Sequence, residues 1–150
     1  MFALGAAVPA DAGDNLSEGF VAKAGVWLRA PSIPFGLTVE GLYTRMGGTR
    51  TPRANAGVQV AGASLNMTTR RHDRRWDTYL VGGAGYYWHS GRDGRLRSHG
   101  GAGLNAGIGE VFAVGGHDLF VELRYHWLKV NDPVADGWMS FMPLVLGVRF

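Results

Sequence analysis

The chain has no cysteine. That excludes a disulfide framework and any thiolate metal or redox site, but leaves the compartment open. Long apolar runs are missing too. No uninterrupted stretch approaches the roughly 18 residues of a membrane-crossing helix. The opening MFALGAAVPA lacks a charged n-region and a sustained apolar h-region, so no secretory signal is expected in it. An exported form would then be the mature chain, with Met1 supplied as a start residue. Helical periodicity is absent, as are repeats of solenoid length and any linker. A length of 150 residues is read as one domain, 1–150. Charge is sparse, and the net balance is only +3. A mild basic excess suits nucleic acid, anionic lipid or nothing in particular, so the placement of the arginines has to decide.

What is present is glycine and alternation. The 24 glycines far exceed the usual share of about 7%. Glycine weakens helices, so glycine together with aromatics argues for strands joined by tight turns. A hydrophobic fraction of 46% is too high for a disordered chain.

Period-two alternation recurs along the chain. In DLFVELRYHWLKV one face carries Leu119, Val121, Leu123, Tyr125 and Trp127, and the other Phe120, Glu122, Arg124 and His126. GFVAKAGVWLRAP sets Phe20, Ala22, Ala24, Val26 and Leu28 against Lys23, Gly25, Trp27 and Arg29. FGLTVEGLYTRM sets Leu37, Val39 and Tyr43 against Thr38, Glu40, Leu42 and Thr44. ASLNMTTR sets Ala63, Leu65 and Met67 against Ser64, Asn66, Thr68 and Arg70. TYLVGGAGYYWH and GAGLNAGIGEVFAV read as glycine-rich strands, and FALGAAVP as a weaker one. The spacing predicts eight strands, at 2–9, 19–30, 35–46, 60–71, 77–89, 100–114, 117–130 and 138–150.

The connections alternate in length. Pro31–Pro34, His72–Trp76 and Gly115–Gly116 are short; Asp11–Glu18, Gly47–Gln59, Gly91–His99 and Asn131–Gly137 are longer and polar. An even number of strands with long and short links in turn is the layout of an antiparallel up-and-down transmembrane β-barrel.

The two faces differ in chemistry. The apolar faces carry Leu, Val, Ala, Phe and Trp with almost no charge. The opposite faces mix Gly, Ser, Thr and Asn with single charges, which suits a narrow, packed, polar lumen. A lone buried charge is expensive. Glu40 and Glu122 are therefore expected near Lys23, Arg70 or Arg124, as an internal ion-pair network. The competing reading puts these charges on the wet face of a soluble sheet, as in a lipocalin-like barrel around a small apolar ligand. That barrel would carry Lys and Glu mid-strand on the face read here as lipid-exposed, and almost none are there. Aromatics fall at strand ends: Phe20, Tyr43, Tyr86, Trp88, Trp127 and Trp138 toward one rim, Phe35, Trp76, Phe112 and Phe150 toward the other. Two aromatic belts around an apolar band are expected at membrane interfaces.

The ending PLVLGVRF after FVELRYHWL, the segment DTYLVGGAGYYW, and ASLNMTTR before a short turn resemble the OmpA/OmpX-like outer-membrane β-barrel family. The resemblance covers nearly the whole chain and is specific to fold. It implies residence in the bacterial outer membrane. It also implies a C-terminal signal for the barrel-assembly machinery, carried here by Leu146, Val148 and Phe150. Arg149 is then expected in the lumen or its inner mouth. Two features depart from the family: the first strand is short, and Met142-Pro143 interrupts the last, where a bulge or a free N–H is expected.

Other chemistry finds little support. The lipid A deacylases of this architecture carry His-x-Ser-Asn near the seventh strand, whereas this chain reads His126-Trp127-Leu128-Lys129 and has no hydroxyl there. Palmitoyl-transfer barrels need a His and a Ser near the outer rim. Ser90 adjoins His89, but strand neighbours point to opposite faces. No enzyme and no cofactor are expected. The five histidines are scattered without ligand spacing, so no metal is expected. Gly101 to Gly107 lacks the spacing and the helix of a dinucleotide loop. The loop arginines Arg50, Arg53, Arg92, Arg95 and Arg97 are candidates for lipopolysaccharide phosphates or plain solvated charge. Nucleic acid fits poorly, since the basic residues lie at opposite ends and lack an aromatic platform. The reading is a small integral outer-membrane barrel with a structural or surface-interaction role through its external loops. An eight-stranded interior is just wide enough for side chains, so no wide pore is expected.

Overall fold

The computed structural model describes residues 1–10, 16–28, 35–48, 57–72, 77–91, 99–130 and 137–150; of residues 16, 70–72, 91 and 130 only the backbone is described. Eight strands carry the fold: β1 (Phe2–Pro9), β2 (Leu16–Leu28), β3 (Phe35–Gly48), β4 (Val58–His72), β5 (Asp77–Gly91), β6 (His99–Val114), β7 (His117–Val130) and β8 (Gly137–Arg149). Each pairs antiparallel with the next, and β8 closes on β1. Closure leaves no sheet edge along the shared length of the strands.

The strands extend beyond the predicted bounds mainly at the ends that meet the longer connections. β2 begins at Leu16 rather than 19, β3 runs to Gly48, β4 starts at Val58 and β5 runs to Gly91. Polar sequence at these ends hides the alternation, but ladder pairing carries on through it. Leu16 and Ser17 still pair with β3, past a register shift between Ser17 and Gly19.

Alternation sets the two faces. Leu4, Val26, Leu65, Leu80, Leu104 and Leu146 point outward and are exposed, while Lys23, Glu40, Asn105, Glu122 and Arg124 point inward and are buried. This polarity is the inverse of a soluble barrel, which turns its apolar face in. Inward glycines make room for large rings. A Cβ on Gly62 would strike the Tyr87 ring, on Gly109 the Tyr79 ring and on Gly147 the Phe120 ring. Part of the glycine content is therefore the complement of the aromatic rings in the lumen.

Two local features follow from single residues. Gly115 and Gly116 have φ of 60° and 85° and form the tight link between β6 and β7. Consecutive positive φ values are those of a two-residue hairpin turn whose twist matches its strands. Pro143 interrupts the β7–β8 ladder opposite Arg124 and Tyr125, yet Leu123↔Leu144 and His126↔Phe141 flank the gap in one register. Of the two expected outcomes the bulge is absent, and the ladder instead lacks the Arg124–Pro143 and Tyr125–Met142 pairs. β1 holds the register from the other side, with Ala7 opposite Pro143.

Candidate functional site: a charged centre inside the barrel

Lys23 enters the lumen from β2, Glu40 from β3, and Glu122 and Arg124 from β7. Glycines stand beside two of them in the wall: Gly25 is paired with Glu40, and Gly107 with Arg124. A Cβ on Gly107 would lie 2.8 Å from the Arg124 Cα. The long side chains therefore meet across the barrel, although Glu40 and Arg124 lie 84 positions apart.

The four charges form one cluster. The Lys23 ammonium donates to Glu122 Oε1 and lies 3.5 Å from Glu40 Oε2. The Arg124 guanidinium bridges both carboxylates, with Nη1 on Glu40 Oε1 and Nη2 on Glu122 at 2.8 Å. Tyr79 donates its hydroxyl to Glu122 Oε2 at 2.9 Å. Two cations and two anions balance, which is the condition for burying charge at tolerable cost. All four are at most 4% exposed.

A string of neutral groups extends the cluster. Ser64 donates to Glu40 Oε1 at 3.4 Å, Asn66 Nδ2 to Ser64 at 3.1 Å, and Asn105 Nδ2 to Asn66 Oδ1 at 2.9 Å. Arg124 Nη1 donates to Asn105 Oδ1 at 3.3 Å. The Tyr87 hydroxyl lies 3.2 Å from His126 Nδ1. Toward the ends of β7 and β3 that meet the longer connections, the centre is covered by buried Val21, Leu42, Met46, Val60, Leu128 and Phe141. At the opposite mouth the Arg149 guanidinium lies 3.5 Å from the Trp27 ring centroid, with Phe120 and Tyr79 at 5.6 and 5.8 Å. The described lumen thus has three storeys: apolar, charged, and cation over aromatics.

Of the expected network, Lys23, Glu40, Glu122 and Arg124 are brought together. Arg70 is opposite Tyr79 in the ladder, and its side chain lies outside the described residues. Tyr79, Ser64, Asn66, Asn105 and Tyr87 were not singled out from the sequence. Their inward parity was readable there; their convergence was not.

The aromatics of one rim, Phe20, Tyr43, Tyr86, Trp88, Trp127 and Trp138, are exposed on the outer wall. Phe20 meets Tyr43 at 5.7 Å and Tyr86 meets Trp88 at 5.0 Å. Toward the other rim lie Phe35 and Phe112, each half-buried, and Phe150; Trp76 lies outside the described residues. Leu146 and Phe150 are exposed, Val148 is half-buried, and Phe150 packs edge-on against His117 at 5.7 Å. Arg50, Arg53, Arg92, Arg95 and Arg97 lie outside the described residues. His126 is fully buried, 4.8 Å from the Phe141 ring and nearly parallel to it. Among the described residues no three His, Asp or Glu side chains group as metal ligands.

No protein-family model matches the chain, and no curated protein matches it in sequence. Solved structures do match. Neisserial surface protein A superposes with a TM-score of 0.73 over 98% of this chain and 94% of its own, at 17% identity. The attachment invasion locus protein Ail of Yersinia pestis gives 0.57 over 99% of this chain and 96% of its own, at 19% identity. Ail in complex with the heparin analogue sucrose octasulfate gives 0.51 at 20% identity, with the same coverage. The chain has the fold of the small outer-membrane β-barrels. At such identities the likeness shows the fold, while function rests on the residues this barrel carries.

Proposed function

We propose that the chain is an integral protein of the bacterial outer membrane, a single barrel domain over 1–150. One observation carries the reading: the closed ring turns its apolar side chains outward and its charges inward. In water such a surface would aggregate; in lipid it is the face a barrel needs. The soluble, ligand-binding alternative loses on the same observation.

The proposed role is non-enzymatic, structural or surface-interacting, with the longer connections as the working parts. The polar lumen packed around Lys23, Glu40, Glu122 and Arg124 supports a wall without a wide pore. Arg50, Arg53, Arg92, Arg95 and Arg97 would meet phosphate groups of lipopolysaccharide, since guanidinium pairs phosphate in a bidentate manner. The complex of Ail with a sulfated heparin analogue favours a polyanionic saccharide as the class of contact. Leu146, Val148 and Phe150 would be the residues read by the barrel-assembly machinery.

The test is gel mobility of the chain refolded into detergent micelles, boiled against unboiled, beside far-ultraviolet circular dichroism. A shift that depends on boiling, with a β spectrum only in detergent, is the expected result. A chain that folds in buffer alone and shows no shift would overturn the reading.

A further inference from the structure

Hydrogen-bond direction inside the lumen is fixed from its charged end. Arg124 has only donors, so the oxygen of Asn105 faces Nη1, at 3.3 Å, and the Asn105 amide nitrogen faces the other way. That nitrogen donates to Asn66 Oδ1 at 2.9 Å and approaches the Tyr87 hydroxyl oxygen at 3.5 Å. With its oxygen receiving that N–H, the Tyr87 phenol is free to send its own proton to His126 Nδ1, 3.2 Å away. An imidazole that accepts at Nδ1 carries its proton at Nε2. In that arrangement His126 is an Nε2–H donor.

That N–H is fully buried and has no acceptor within reach among the described residues. The same holds for the Nε–H of Arg124. The two residues project from the same face of β7, two positions apart. A two-residue step along a strand is roughly 6.6 Å, a gap that one acceptor between the two side chains can bridge. Orphaned buried donors are rare and costly, and ordered water is the usual remedy. Any acceptor here has to be neutral, because Lys23 and Arg124 are already balanced by Glu40 and Glu122.

We propose that the barrel holds a buried water molecule against His126 Nε2–H and Arg124 Nε–H. It joins the charged storey to His126 by a second route beside the Tyr87 hydroxyl. The inference depends on the barrel fold and not on the membrane assignment.

Nuclear magnetic resonance on the refolded full chain with ¹⁵N-labelled histidine and arginine tests it. The expected result is a slowly exchanging Nε2–H on His126, with cross-peaks to a long-lived water on both that proton and Arg124 Hε. Comparison with His126→Phe assigns the imidazole signal, and in that variant the Arg124 Hε contact to long-lived water weakens or disappears. If that variant does not refold, Tyr87→Phe serves: removing the phenol frees Nδ1, and the imidazole shifts toward a mixture of tautomers. A His126 proton at Nδ1 in the unsubstituted chain overturns the proposal. So do two N–H signals without any water contact. Resonances that move when chloride replaces acetate would mean an anion in place of water and overturn it as well.

Discussion

Glu122→Gln offers a sharp test of the charge-balanced lumen. Glu122 receives Lys23, Arg124 and Tyr79, so neutralising it leaves two buried cations facing one carboxylate, Glu40. Breaking a buried pair from one side costs about 3–5 kcal/mol, because the partner remains charged and unmatched. With a urea slope on the order of 2 kcal/mol/M, the unfolding midpoint falls by about 2 M. Lys23→Met alone leaves two carboxylates on Arg124 and is expected to cost a similar amount. The double variant retains Arg124 and Glu40 as a neutral pair. It should be far less damaged than the sum of the singles, with a coupling of about 2–3 kcal/mol. The assay is reversible urea unfolding in lipid vesicles or micelles, followed by the fluorescence of the five tryptophans. Additive single effects, or a Glu122→Gln cost below about 1 kcal/mol, would refute the reasoning.

Three further outcomes are expected. Leu65→Arg, on the outer wall, should cost about 2–4 kcal/mol when the barrel is folded in a bilayer; a change within about 0.5 kcal/mol, normal for a water-facing site, would count against lipid contact. Gly82 and Gly83 are neighbours with opposite tolerance. A Cβ on Gly82 meets nothing closer than 3.8 Å, whereas on Gly83 it strikes Asn66 Oδ1 and the Leu65 carbonyl. Gly82→Ala should be neutral or stabilising by about 0.5 kcal/mol, and Gly83→Ala should lower the urea midpoint clearly; equal effects would refute the assigned faces. On the outer wall the Tyr125 hydroxyl donates to Ser140 at 2.8 Å. Ser140→Ala should cost about 1–2 kcal/mol by stranding that donor, and adding Tyr125→Phe should restore most of it; a double variant no better than the single would show that the pair carries no such coupling.

The likeness to Neisserial surface protein A and to Ail is a likeness of wall, not of working parts. The eight-stranded barrel recurs at 17–19% identity because alternation needs only residue class at each position.

Alternation along a strand is a local property. Leu119, Val121 and Leu123 declare an outer face whatever the rest of the chain does, so strand count, parity, the Gly115–Gly116 turn and the burial of Lys23, Glu40, Glu122 and Arg124 were all readable from the residues. Strand ends were less so, because Leu16–Ser17 and Val58–Gln59 keep their ladder after the alternation fades. What no local pattern could supply was convergence. Glu40 meets Arg124 across 84 residues because closure of β8 on β1 sets the stagger of all eight strands at once. The same closure puts Tyr79 on Glu122 and Arg149 over Trp27, and it carries the register through Pro143, where the sequence suggested a bulge or a free N–H. The residues alone determined which side of the wall each side chain faces, because that has a period of two. Only the closed barrel decided which inward side chains touch, because contact across a lumen depends on the shear of the ring.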